Sequence, residues 1–109
     1  MRTLPPISSP ANPTVKATAR LRDAAVRRQT GRILIDGQHE IAVASASGIR
    51  LQRLFVPAEQ LAAAEAVVRS WAGSELLEIQ PLLGRAMERV AYGQRGNGWV
   101  AVAEQPRVR

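Results

Sequence analysis

The stretch ILIDGQHEIAVASASGIRLQRLFVP, Ile33 to Pro57, holds two short apolar runs separated by a segment of helical character. Ile33-Leu34-Ile35 is continuous rather than alternating, as expected of a buried strand, and Asp36-Gly37 ends it. Gln38 to Ser47 reads as a helix with Ile41, Ala44 and Val43 turned inward, closed by Gly48. Leu51 to Val56 is a second strand, stopped by Pro57. A strand, a helix and a strand in such close succession make a βαβ unit, and the rest of the chain extends the same alternation.

Downstream, Ala58 to Ala72 is an alanine-rich helix that sets Leu61, Val68 and Trp71 toward a core. Leu76 to Ile79 reads as a third strand ended by Pro81. Leu82 to Tyr92 is a last helix, and Trp99 to Ala103 a fourth strand after Gly96-Asn97-Gly98. Upstream, Asn12-Pro13 is a helix start, with Asn as the cap and Pro at the first helical position. That helix is predicted over Pro13 to Gln29, stopping near Gly31. Residues 1–11, with Pro5, Pro6 and Pro10, read as a disordered lead-in. The order is a helix followed by βαβαβαβ. It predicts an α/β fold with a mostly parallel four-stranded sheet covered by helices on both faces.

The 109 residues allow one compact domain and contain no cysteine, which excludes disulfides, thiolate metal sites and cysteine nucleophiles. No apolar run approaches the ~20 residues of a membrane-spanning helix, and no secretory signal opens the chain. A cytoplasmic chain with no membrane partner is expected. The net charge is +6. Its location is more informative than its size. Seven basic residues against Asp23 alone place the whole excess in residues 1–32, whereas residues 33–109 balance. Clustered positive charge of this kind suits a polyanion, because displaced counterions favour binding.

On a continuous helix Lys16, Arg20 and Arg27 fall on one stripe, with Asp23 spaced to brace the two arginines. Val15, Leu21, Ala25 and Val26 lie on the opposite side. A basic ridge with an apolar back fits a helix clamped to a core and offered to a phosphate backbone. Lys16, Arg20, Arg27, Arg28 and Arg32 are the candidate phosphate contacts, joined by Arg95 on the glycine-rich loop Gly93 to Gly98. Arg22, the remaining cation of the run, reads instead as a solvated surface charge.

Catalytic chemistry is hard to assemble from what remains. His39 is the single histidine, and one imidazole does not make a metal site. Asp36-Gly37 reads as a turn or helix cap. Ser45 and Ser47 have no histidine placed to activate them. The glycine-rich loop leads into a strand, which rules out a P-loop or dinucleotide fingerprint. Phe55, Trp71, Tyr92 and Trp99 read as core residues before base-stacking platforms.

Several of these spaced elements resemble one family. Asn12-Pro-Thr-Val-Lys16, Leu21-Arg22-Asp23, Arg27-Arg28-Gln29-Thr30-Gly31 and Ile33-Leu34-Ile35-Asp36-Gly37 are similar to the opening of the substrate-binding domain of SpoU-class RNA 2′-O-ribose methyltransferases, also called the TrmH family. Met87-Glu88-Arg89-Val90-Ala91-Tyr92, Arg95 and Gly98-Trp99-Val100-Ala101-Val102 resemble that domain's last helix and strand. The resemblance covers residues 12–106 and implies a three-layer α/β/α sandwich like that of kink-turn-binding ribosomal proteins. It implies a domain that grips structured RNA, rRNA or tRNA, for a second, catalytic domain. That second domain, which binds S-adenosylmethionine, has no counterpart here, residues 107–109 being the start of a linker. The chain is therefore expected to hold no cofactor and to be inactive alone. Two other partner readings stand beside it: a stand-alone ribosome-associated or kink-turn-binding protein, and a module that pairs with a separately encoded methyltransferase domain.

Overall fold

The computed structural model describes residues 1–91 and 98–106. Five strands form one sheet: β1 (Arg2–Thr3), β2 (Arg32–Asp36), β3 (Leu51–Pro57), β4 (Glu78–Leu82) and β5 (Val100–Glu104), in the order β1-β4-β3-β5-β2. Five α-helices connect them: α1 (Pro13–Arg20), α2 (Ala24–Thr30), α3 (Gln38–Ala46), α4 (Leu61–Arg69), entered through a 3-10 turn at Ala58–Gln60, and α5 (Gly84–Val90).

The pleat of β3 and β5 divides the core in two. Phe55, Val100 and Val102 point to one face, where they meet Val15 and Leu21 with Ala86, Met87 and Val90 of α5. Leu54, Val56, Trp99 and Ala101 point to the other, against Ile41 of α3 and Ala64 and Val68 of α4. Helices therefore cover both faces. Phe55 and Trp99 are enclosed, Trp71 packs at the margin, and Trp99 Nε1 donates to Gln60 Oε1 at 2.6 Å. The aromatic side chains described are thus core residues; Tyr92 lies outside the described residues.

Four features differ from the sequence expectations. The sheet has five strands and is mixed. Both β4 pairings are parallel, whereas β5 runs antiparallel to β3 and β2. The alternation of strands and helices does not fix strand direction; that is set by pairing, and β5 enters the sheet between β3 and β2, antiparallel to both.

Residues 1–11, expected as a disordered lead-in, instead supply β1. Arg2 N donates to Leu77 O, Leu4 N to Ile79 O and Ile7 N to Pro81 O, so the segment completes the edge of β4. The third difference is Pro81, which lies within β4 rather than ending it. Its backbone faces this N-terminal segment, so the missing N–H leaves the β3–β4 ladder intact. Finally, the predicted helix over Pro13 to Gln29 is broken at Leu21–Asp23, with consequences for the charged residues.

Candidate nucleic-acid interface

Asn12 caps α1 as its sequence suggests, its Oδ1 accepting from Thr14 N at 2.8 Å. The helix then ends after Arg20 with no glycine or proline to stop it. Asp23 is responsible: its carboxylate accepts from Ala25 N at 2.8 Å and starts α2 as an N-cap. Capping the next helix, Asp23 does not brace Arg20 and Arg27. Gly31 closes α2 in the left-handed conformation at φ 67°.

The corner between the helices is held by two cations. Arg27 is half buried, and its Nη1 donates to Leu21 O and Arg22 O, both at 2.9 Å. It thus satisfies carbonyls that the end of α1 would leave unpaired. Arg22 turns inward. Its Nη1 and Nη2 donate to the two carboxylate oxygens of Asp36 at 2.6 and 2.7 Å, and Nη2 also donates to Val90 O at 2.8 Å. Both side chains are 24% exposed. Arg22 is therefore no solvated surface charge. It is a bidentate clasp joining the α1–α2 corner, β2 and the end of α5, although its Nε finds no acceptor among the described residues.

The break in the helix opens a groove of about 520 Å³ between α1, α2 and the sheet. Val102, Leu21 and Val26 give it an apolar floor and wall above the enclosed Phe55, and Thr14, Thr30, Arg20 and Arg32 its rim, with Gln52, Arg53 and Glu78 at the far end. Arg53 and Glu78 are register partners on β3 and β4, joined Nη2 to Oε1 at 2.9 Å. The Arg53 hydrogen bond, aided by the charges of Arg53 and Arg2, holds the Glu78 carboxyl below its ordinary range. It is an ionised acceptor whose charge Arg53 balances.

The six predicted contacts are therefore distributed unequally. Arg20 and Arg32 are exposed on the groove rim. Lys16 on α1 and Arg28 on α2 are also exposed. The side chains of these four make no hydrogen bond or ion pair among the described residues. Arg27 is committed to the corner through Nη1, and Arg95 lies outside the described residues. Arg53 was missed in the sequence, where nothing distinguishes a cation on an apolar strand until its cross-strand neighbour is known. His39 is exposed on α3, away from the groove lining. Asp36 and Gly37 serve the Arg22 clasp and the start of α3, where Gly37 adopts φ 96°.

The arrangement suits an extended anionic chain. An open groove with an apolar floor has the shape for a flat or aliphatic surface, and rim guanidinium groups without a partner among the described residues have the chemistry for phosphates. No group of three or more His, Asp or Glu side chains that could hold a metal exists among the described residues. No helix among them is long and apolar enough to cross a membrane.

Residues 12–101 match the family model of the MRM3-like substrate binding domain. The chain is similar to the crystal structure of an RNA 2′-O ribose methyltransferase at TM-score 0.78 and 28% identity, over 96% of this chain and 39% of that one. The SpoU methyltransferase AviRb from Streptomyces viridochromogenes, in complex with AdoMet, matches at TM-score 0.71 and 18% identity, over 88% of this chain and 36% of that one. An AdoMet-bound rRNA methyltransferase from Sinorhizobium meliloti matches at TM-score 0.67 and 17% identity, over 95% and 38%. The last two share the fold. The chain spans about two-fifths of the length of these solved structures. None of the curated proteins matches it.

Proposed function

The chain belongs to the MRM3-like substrate-binding domain family, and from that premise we propose that it grips structured RNA, rRNA or tRNA, along the α1–α2 corner and its groove. The observation that carries this reading is the pair of arginines, Arg20 and Arg32, on the rim of an apolar-floored groove and without a side-chain partner among the described residues. Lys16 and Arg28 extend the contact along the two helices, and Arg95, outside the described residues, is kept as a contact on the sequence alone. Arg27 contributes its charge while holding the corner.

In this reading the domain delivers RNA to a methyl-transfer centre in a part of the relatives that these residues do not span. S-adenosylmethionine would be bound there, and none of the side chains in the groove is asked to move a proton or a methyl group. The apolar floor receives a sugar or base face while the rim arginines bind successive phosphates, so the grip orients RNA without reading much sequence.

Fluorescence anisotropy with a folded ribosomal RNA fragment at several salt concentrations tests this. Affinity is expected to fall steeply with salt. Arg20→Ala/Arg32→Ala should weaken binding and reduce the log–log salt slope by about 2, close to one per lost phosphate contact. Absence of binding at low salt, or an unchanged slope in the double variant, refutes the groove as the RNA grip.

A further inference from the structure

The two edges of the sheet differ in their exposed backbone, which the RNA reading does not use, although the side chain of Arg32 enters both. The β1 edge is two exposed polar residues long and runs into Pro5-Pro6, features that prevent further strand addition. The β2 edge carries Ile33, Leu34 and Ile35 in a row, without lysine, proline or bulge, and no described strand lies beyond it. All three are half buried, whereas Leu54 and Phe55 at the sheet centre are fully enclosed.

The hydrogen-bond parity of β2 shows which backbone groups are turned outward. Gly31 O accepts from Gln105 N, and Gly37 N donates to Trp99 O. The ladder between them pairs Ile33 with Ala103 and Ile35 with Ala101. In an antiparallel pair alternate residues bond to the partner, so the odd-numbered residues of β2 face β5. Arg32, Leu34 and Asp36 therefore direct their N–H and C=O groups away from the sheet.

We propose that this edge pairs with the same edge of a second copy of this chain, antiparallel, about a twofold axis at Leu34. In that register Arg32 faces Asp36 of the second copy, Ile33 faces Ile35, and Leu34 faces itself. The outward backbone groups of Arg32, Leu34 and Asp36 then bond in matched pairs, Arg32 N exchanging its long bond to Thr30 Oγ1, at 3.3 Å, for Asp36 O of the second copy. Charge and apolar pattern are both self-complementary, as a twofold interface requires. A parallel pairing in register would instead set Arg32 against Arg32 and Asp36 against Asp36. The bond from Arg22 to Asp36 does not prevent the contact, because an ionised carboxylate offers about four acceptor positions. The two sheets would join into one of ten strands. A short edge contact makes a weak, concentration-dependent dimer and not an obligate one.

The absence of cysteine makes the register directly testable by disulfide trapping in the 109-residue chain without RNA. Leu34→Cys is expected to give a covalent homodimer under mild oxidation, reversed by reductant, because a position on the twofold axis faces itself. Ile33→Cys and Ile35→Cys should each fail alone, since each faces the other residue. Ile33→Cys/Ile35→Cys together should link, through the closer non-hydrogen-bonded pair. Sedimentation equilibrium of the unmodified chain should show association, weakened at least about tenfold in Arg32→Glu, where like charges would oppose. Circular dichroism identifies any variant that does not fold. If Leu34→Cys is such a variant, the Ile33/Ile35 series and the sedimentation decide. A chain that stays monomeric at all concentrations, or traps equally well at every position, overturns the proposal.

Discussion

Arg22→Met separates a structural cation from an RNA-binding one in a single variant. The substitution keeps most of the aliphatic stem and removes three hydrogen bonds: two to Asp36 and one to Val90 O. An exposed ion pair contributes about 0.2–1 kcal/mol, whereas breaking a fully buried pair costs about 3–5 kcal/mol. With both side chains 24% exposed, the loss falls between these limits, at about 2 kcal/mol. For a domain of this size that corresponds to a fall in Tm of roughly 10 °C. Urea denaturation would give the free energy, and a double-mutant cycle with Asp36→Ala should return most of it as coupling. RNA titrations on the folded variant should retain the wild-type salt slope. A stability change below about 0.5 kcal/mol, together with a shallower salt slope, would refute the clasp and make Arg22 a phosphate contact.

Other outcomes follow from the same geometry. Asn12→Ala removes the cap on α1 and should cost about 1 kcal/mol in urea denaturation without changing the m-value. Phe55→Ala should cost about 3–5 kcal/mol by the same measurement, because the ring is fully enclosed in the α1–α5 half of the core. Glu78 sets a pH dependence. Its folded pKa lies below the ordinary 4.5, so its stabilising contribution is present above that value and is lost as pH falls through the folded pKa. Glu78→Gln should accordingly be less stable than the unmodified chain at neutral pH, with the difference closing in acid. A constant difference from pH 7 down to pH 3, on this ~4-unit scan, would show that the Arg53 bond is not its source.

The alternation of apolar strands and helices, the Asn12-Pro13 start, the Gly31 stop and the basic opening third were all legible in the sequence. Each is a local property: periodicity, capping chemistry and charge count depend on neighbours along the chain. The family followed from the same short motifs. What the linear reading could not supply was pairing. Asp23 carries one carboxylate that can brace two arginines or cap a second helix. Only the position of α2 against the sheet selects the cap, and with it the break that opens the groove.

The same physics governs the remaining differences. The direction of β5 depends on the strands it pairs with, β3 and β2, which no local pattern fixes. The N-terminal segment is ordered because β4 offers it free hydrogen-bonding groups, a partner some 75 residues away. Arg22 and Arg53 look like the other arginines until Asp36 and Glu78 arrive beside them from other strands. The sequence by itself determined the alternation of strands and helices from Ile33 onward, the family and where positive charge accumulates, because those are sums over local chemistry. The tertiary structure alone decided which cations are held and which remain free, because a charge is neutralised only by a group brought to it through space.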